Sequence, residues 1–205
     1  MPGAGKTIIT SIVIHYLLWD EFPQTSKNNA KIGVAYLFCG YRLQQNQKPI
    51  DLLASLLKQL VQEQSSIPDG LKDLYDRHKG KRTRPELNEI SKALYSVVAD
   101  YSRSFIIIDA LDEYQVSDRK DRKTLLSEIF KLQDMTGANI FATSRFIPDI
   151  VTEFEGKSTT LEIRAHDSDL QRYLDGHMSR LPKFVSTVDL QEKIKTEITK
   201  AVNGM

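Results

Sequence analysis

Three short runs along this chain are apolar on both faces, at residues 32–39, 105–108 and 139–143. Alternation of apolar and polar positions marks a strand with one wet face, whereas unbroken Val, Ile, Leu and Phe mark one covered on both, as in a parallel sheet between helices. Segments of helical spacing separate the runs, near 5–20, 49–64, 86–101, 119–135, 167–179 and 188–203. Pro49 and the Pro85-Glu86 pair stand where first helical turns begin, and Gly137 stands where a helix must end before the third run. A fourth run, 159–163, sets Leu161 and Ile163 either side of Glu162 and predicts an edge strand. Strands alternating with helices predict an α/β fold, a doubly wound parallel sheet in three α/β/α layers. That core is expected over residues 1–165, with 166–205 opening a small helical subdomain.

In the first helical segment Ile8, Ile12, His15 and Trp19 recur at helical spacing, which predicts a buried helix that carries the loop before it at its N-terminus. The same stretch superficially resembles a secretory leader, but no small-residue cleavage site follows Trp19. Asp20-Glu21-Phe22-Pro23 reads instead as a helix end.

Composition narrows the partners. Of 205 residues, 40% are hydrophobic and 27% charged, with a formal net charge of +1. Near-neutrality argues against bulk attraction to nucleic acid or to acidic lipid. No apolar run approaches the ~20 residues needed to span a bilayer, so no membrane association is expected. Cys39 is the single cysteine; it rules out an intrachain disulfide or a thiol metal cluster and points to a reducing, cytoplasmic setting. The one concentrated basic run, His78 through Arg84, lacks interleaved aromatics and reads as a solvated connecting loop.

The candidate chemistry begins at the first residues. Pro2-Gly3-Ala4-Gly5-Lys6-Thr7 is the second half of the pattern G-x-x-x-x-G-K-[ST], whose first glycine would fall one place before Met1. Backbone amides around Gly3, Ala4, Gly5 and Lys6 suit a phosphate, the Lys6 ammonium adds a point charge, and the Thr7 hydroxyl suits Mg²⁺. A second element, Phe105-Ile106-Ile107-Ile108-Asp109-Ala110-Leu111-Asp112-Glu113, is a buried strand that delivers a carboxylate at its C-terminal edge. Asp109 is the expected metal acid, acting through the waters that Mg²⁺ retains. Asp112 or Glu113 is the expected acid that aligns and deprotonates an attacking water; two adjacent acids leave the choice open, with Asp112 slightly preferred. The third element, Thr143-Ser144-Arg145, ends a strand with two hydroxyls and a guanidinium matched to phosphate oxygens.

These three motifs together resemble the phosphate loop, Walker B and sensor motifs of NACHT-type STAND P-loop NTPases, closest to fungal NLR-like proteins with a nephrocystin-like NTPase domain. Such proteins often carry ankyrin or WD repeats. The small Ala110 after the metal acid, with Asp112 three places beyond Asp109, favours NACHT over a general AAA+ module. The likeness extends through 51–62 and 169–205. It implies a nucleotide-dependent switch that binds ATP, or less readily GTP, with Mg²⁺, hydrolyses it slowly and self-associates through the NTPase core. No guanine-reading [NT]-K-x-D motif is present. The family's phosphate-reading histidine has no counterpart assigned here, since His166 and His177 lie too early and on helical sequence. The rival from another class is a non-catalytic scaffold fragment that has lost nucleotide binding; a small P-loop kinase fits less well for want of an arginine-rich lid.

Set against this resemblance, the chain is expected to be truncated at both ends and to lack the strand that feeds the phosphate loop. Loss of that strand predicts unpaired edges near 105–108 and 139–143, hence marginal stability and weak nucleotide affinity.

Overall fold

The structure, a computed structural model, describes residues 5–20, 31–40, 48–114, 119–163, 167–178 and 187–203. At its centre is strand β2, Arg103–Asp109, where Ile106, Ile107 and Ile108 are wholly buried. Strand β1, Ile32–Phe38, and strand β3, Asn139–Ala142, lie parallel on either side of it. The register aligns Phe38 with Asp109 and Ala142 with Ile108, so the three strands end together at one edge. That common edge is where crevices form in open parallel sheets.

Successive side chains of a strand face opposite ways, and β2 uses both. On one face Ile106 and Ile108 pack with Ala35 and Leu37 against helices α2 (Pro49–Gln62), α4 (Leu87–Ala99) and α5 (Arg119–Thr136). The leucines of α2, 52, 53, 56, 57 and 60, recur at helical spacing and are all buried, as are Ile90, Leu94, Val97 and Val98 of α4. At ~1.5–3 kcal/mol for each large aliphatic side chain removed from water, this face is the main apolar store of the fold. On the other face Ile107 and Val34 meet helix α1, Lys6–His15, and its continuation as a π turn over Tyr16–Asp20. Helices thus cover both faces of a three-stranded parallel sheet, which is an α/β arrangement.

Helix α1 is not buried all round, and the stripe of Ile8, Ile12 and Trp19 is not the side that meets the sheet. Val13, Ile14, Leu17 and Leu18 pack on β1 and β2, and Thr10 is fully buried, whereas Ile8, Ile12 and Trp19 are more than half exposed. Two apolar stripes share this helix, and periodicity cannot choose between them. The choice is made by Thr10, whose hydroxyl bonds to Asp109 at the end of β2.

Four further departures have local causes. Helix α3, Asp69–Lys81, has only Leu74 buried and includes Gly70 and Gly80, so it lacks the apolar stripe that announces a helix. The basic run expected as loop is partly its last turn, where cations oppose the helix dipole, and Arg82 closes it in the left-handed region at φ 53. His78 then bridges the corner to Thr83 at 2.7 Å and to Glu89 of the α4 capping box at 3.0 Å. Helix α6, Pro148–Phe154, is short and buries Ile150. Residues 159–163 form no strand, and Leu161 is 83% exposed. Of the two edges expected to be bare, 105–108 is not, since β2 is paired on both sides, whereas β3 among the described residues pairs with β2 alone; Gln59 on α2 meets the outer edge of β1 by accepting from Tyr36 N–H at 3.0 Å and donating to its carbonyl at 2.9 Å.

Residues Gly5–Ser158 form one compact unit. Beyond it, helices α7 (Asp167–Met178) and α8 (Val188–Asn203) belong to a separate unit, where Lys195 Nζ lies 2.6 Å from Asp175. Among the described residues no helix is long and apolar enough to cross a membrane.

Gly33 marks the tightest packing on β1. A Cβ there would stand 2.9 Å from both Leu60 Cδ2 and Tyr101 Cγ, and the Tyr101 ring is pinned by its hydroxyl, which donates to the Leu60 carbonyl at 2.5 Å. Gly33→Ala is therefore expected to destabilise the domain by ~1–3 kcal/mol, the usual cost of overpacking, read as a lower midpoint in urea unfolding. An unchanged midpoint would show that the ring can yield.

Candidate functional site

Gly5 starts α1 in the left-handed conformation at φ 78, and no acidic residue stands in the first turn. Open space surrounds the position a Cβ would take, so glycine serves the backbone turn here and fills no gap. The helix N-terminus is consequently a positive dipole end with no carboxylate of its own nearby in sequence. From its first turn Thr7 donates to Asp109 Oδ2 at 2.7 Å, across 102 positions of sequence. Thr10, one turn later, donates to Asp109 Oδ1 at 2.8 Å while also facing the Lys6 carbonyl at 3.0 Å. Thr143, just past β3, donates to the same Oδ1 at 2.7 Å. Asp109 is only 2% exposed, so these three hydroxyls stand in for most of its water.

Past Asp109 the chain turns sharply at Ala110, a non-glycine residue at φ 53. Thr143 braces that turn at each available atom. Its amide donates to the Ile108 carbonyl at 2.9 Å, its carbonyl accepts from Leu111 N–H at 2.8 Å, and its Oγ1 accepts from Ala110 N–H at 3.0 Å. The turn feeds a single 3₁₀ turn, Leu111–Glu113, which buries Asp112 to 2% exposure. Both Asp112 oxygens are taken by Arg145: the backbone N–H donates to Oδ1 at 2.9 Å and the guanidinium Nε donates to Oδ2. Burial pushes the Asp112 carboxyl up, but the hydrogen bonds and charge of Arg145 outweigh it and hold it below the ordinary range. Three acids converge here, since burial and then the charges of Asp109, Asp112 and Glu113 push the Cys39 thiol up to about 12.

The model of the nephrocystin 3 N-terminal family matches residues 1–145, from the phosphate-loop sequence to Arg145. The chain belongs to that family. No curated protein matches it. Within this nephrocystin 3 N-terminal domain, the match spans β1, β2 and β3 together with Asp109, Asp112 and Glu113, and ends at Arg145.

Of the residues singled out from sequence, Gly5, Lys6, Thr7, Asp109, Asp112, Glu113 and Arg145 are described, and Gly3, Ala4 and His166 lie outside the described residues. Thr7 and Asp109 meet directly. Asp112 and Arg145 meet each other, so neither the proposed water-activating oxygen nor the proposed phosphate-sensing guanidinium edge is wholly open. Glu113 is partly buried, and among the described residues nothing hydrogen-bonds its carboxylate. His177 lies on α7, in the other unit, with its ring stacked on Tyr173 at 4.1 Å. Two contributors were missed from sequence. Thr10 was hidden by its apolar neighbours and by the adjacent Ser11, an exposed hydroxyl that bonds to the Thr7 carbonyl, and spacing alone does not say which of the two points inward. Thr143 was read only as one of a hydroxyl pair.

Thr143→Val keeps the shape but removes the donor to Asp109 and the acceptor for Ala110 N–H. The nephrocystin 3 N-terminal domain is expected to lose ~1–3 kcal/mol for each buried group so orphaned, whereas Thr143→Ser should retain most of the wild-type stability. Equal urea midpoints for the Val and Ser variants would contradict this.

Proposed function

We propose that this nephrocystin 3 N-terminal domain is the nucleotide-binding switch core of a NACHT-type STAND P-loop NTPase, which binds ATP with Mg²⁺, hydrolyses it slowly and thereby controls self-association in a cytoplasmic setting. The observation that carries the reading is the 2.7 Å contact between Thr7, at the end of the Gly-Lys-Thr sequence, and Asp109, at the end of the central strand. Two motifs far apart in sequence converge on the atoms that this chemistry requires.

The donor set fits magnesium. A hydroxyl and a carboxylate are hard oxygen donors, and Mg²⁺ is ordinarily held by one or two carboxylates together with substrate phosphates and water. Among the described residues no cluster of three His, Cys, Asp or Glu is arranged to hold a metal unaided, which agrees with a cation that arrives with its phosphate. Thr7 and Asp109 would hold the ion, which when bound neutralises charge on the phosphate oxygens. The protein's own groups account for the remainder. Backbone amides at the start of α1 and the Lys6 ammonium bind phosphate oxygens. Thr10 and Thr143 fix Oδ1 of Asp109 and so orient Oδ2 toward Thr7. Glu113, whose oxygens are not engaged by hydrogen bonds among the described residues, is the better placed of the two acids to align a water. ATP is the favoured nucleotide, with GTP the alternative.

Titration with a fluorescent ATP analogue, with and without Mg²⁺, tests the reading. Lys6→Ala should weaken binding by about tenfold or more, the worth of a charge-assisted contact. Asp109→Asn should remove most of the Mg²⁺ enhancement while leaving metal-free affinity near wild type. Equal affinity of wild type and Lys6→Ala for the analogue would overturn the assignment.

A further inference from the structure

We propose that Thr83 is a phosphorylation site, the acceptor for a serine/threonine protein kinase that reads basic residues around its target, and that the attached phosphoryl group fastens the end of α3.

Arg77 through Arg84 holds six basic residues in eight positions, on a chain whose formal net charge is only +1. The helix dipole favours cations in the last turn of α3, which accounts for His78, Lys79 and Lys81. It does not account for Arg82, which closes the helix at φ 53 where glycine is favoured, or for Arg84 beyond it. Lys81, Arg82 and Arg84 are exposed, and among the described residues their side chains make no hydrogen bond or ion pair. A kinase groove lined with acids selects such a pattern by charge.

Thr83 lies among these cations, exposed and outside regular structure, and Pro85 biases Arg84 towards an extended backbone. Thr124 and Thr196 also follow basic residues, but each lies inside a helix, its hydroxyl donating to the carbonyl four residues earlier at 2.8 Å and 2.9 Å. Thr83 is tied only to the end of α3. Its N–H donates to the His78 carbonyl at 3.0 Å. The Glu89 carboxylate takes the Nε2–H of His78, which leaves Nδ1 to accept from the Thr83 hydroxyl at 2.7 Å. Helix α3 buries Leu74 alone, so its last turn opens locally at small cost and presents the hydroxyl.

In the transfer, Thr83 Oγ1 attacks the γ-phosphorus of a nucleoside triphosphate bound by the kinase. The Oγ1–P bond forms, the bond from that phosphorus to the β,γ-bridging oxygen breaks, and nucleoside diphosphate leaves. The hydroxyl proton passes to the kinase's base. The product carries a charge of about −1.5 to −2 and accepting oxygens only. It gives up one neutral bond to His78 and lies near the carbonyl end of α3, but it meets three cations that have no other partner. Their charge-assisted bonds decide the balance and tie the exit segment to the last turn.

The test incubates the protein with ATP and the catalytic domain of a kinase that selects basic residues beside the acceptor, maps the phosphate by mass spectrometry, and follows amide exchange of the product. Phosphate is expected chiefly on Thr83, with incorporation lowered at least about tenfold in Thr83→Ala and retained in Thr83→Ser. Lys81→Ala combined with Arg84→Ala, both exposed and without contacts, should slow incorporation by about tenfold. Amides of residues 78–83 should exchange about tenfold more slowly in the phosphorylated protein. Phosphate found elsewhere with Thr83 unmodified, no incorporation, or undiminished incorporation in Thr83→Ala would overturn the site. Faster exchange of 78–83 after modification would overturn the fastening of α3.

Discussion

A single buried carboxylate organises the functional edge of this domain. Asp109 is removed from water at the end of the central strand and is resolvated by three hydroxyls from two elements: Thr7 and Thr10 on α1, and Thr143 beyond β3. Leaving a charged group buried and unmatched costs several kcal/mol, far more than a single hydrogen bond returns, so the three elements are constrained to approach that point. The direction in which α1 lies on the sheet follows from it. So does the order in which the motif residues meet, because Thr7 is one helical turn from Thr10 and shares its carboxylate.

The second constraint is Thr143, which turns a strand exit into a junction. Its backbone extends the β2–β3 ladder by one residue, and its side chain closes the left-handed turn at Ala110. A non-glycine residue at positive φ costs ~1–2 kcal/mol, and the hydrogen bonds around Ala110 offset that. The strained turn carries the chain directly from the metal-type acid into the 3₁₀ turn that buries Asp112. Local backbone strain thus sets the separation between the two acids, and Arg145 fixes the second of them from the neighbouring strand.

The sheet was legible because its strands are apolar on both faces, and the observed bounds of β1, β2 and β3 differ from the expected runs by at most two residues at either end. Helices α2, α4 and α5 were legible from their leucine and isoleucine spacing. What sequence did not reveal has a common cause, namely that polar groups took positions which apolar periodicity assigns to hydrophobic ones. Thr10 on the inner face of α1 sends Ile8, Ile12 and Trp19 outward. Helix α3 has a left-handed C-cap at Arg82 and a single buried leucine, and among the described residues the Leu161–Ile163 alternation forms no strand. At the site, the motif residues were found from spacing, but the pairing of Asp112 with Arg145 depends on a cross-strand approach that spacing alone cannot supply.

The claim that Asp109 holds α1 to the sheet is tested most directly by hydrogen exchange, comparing wild type with Asp109→Ala. Loss of the carboxylate releases Thr7, Thr10 and Thr143 together while leaving the large face of α2, α4 and α5 untouched. Amide protection is therefore expected to fall in α1 and across residues 110–114, with little change in α2 and α4, as for a locally opening unit. Unaltered protection of α1 in the variant would contradict the account, because the helix would then be held by its apolar contacts alone.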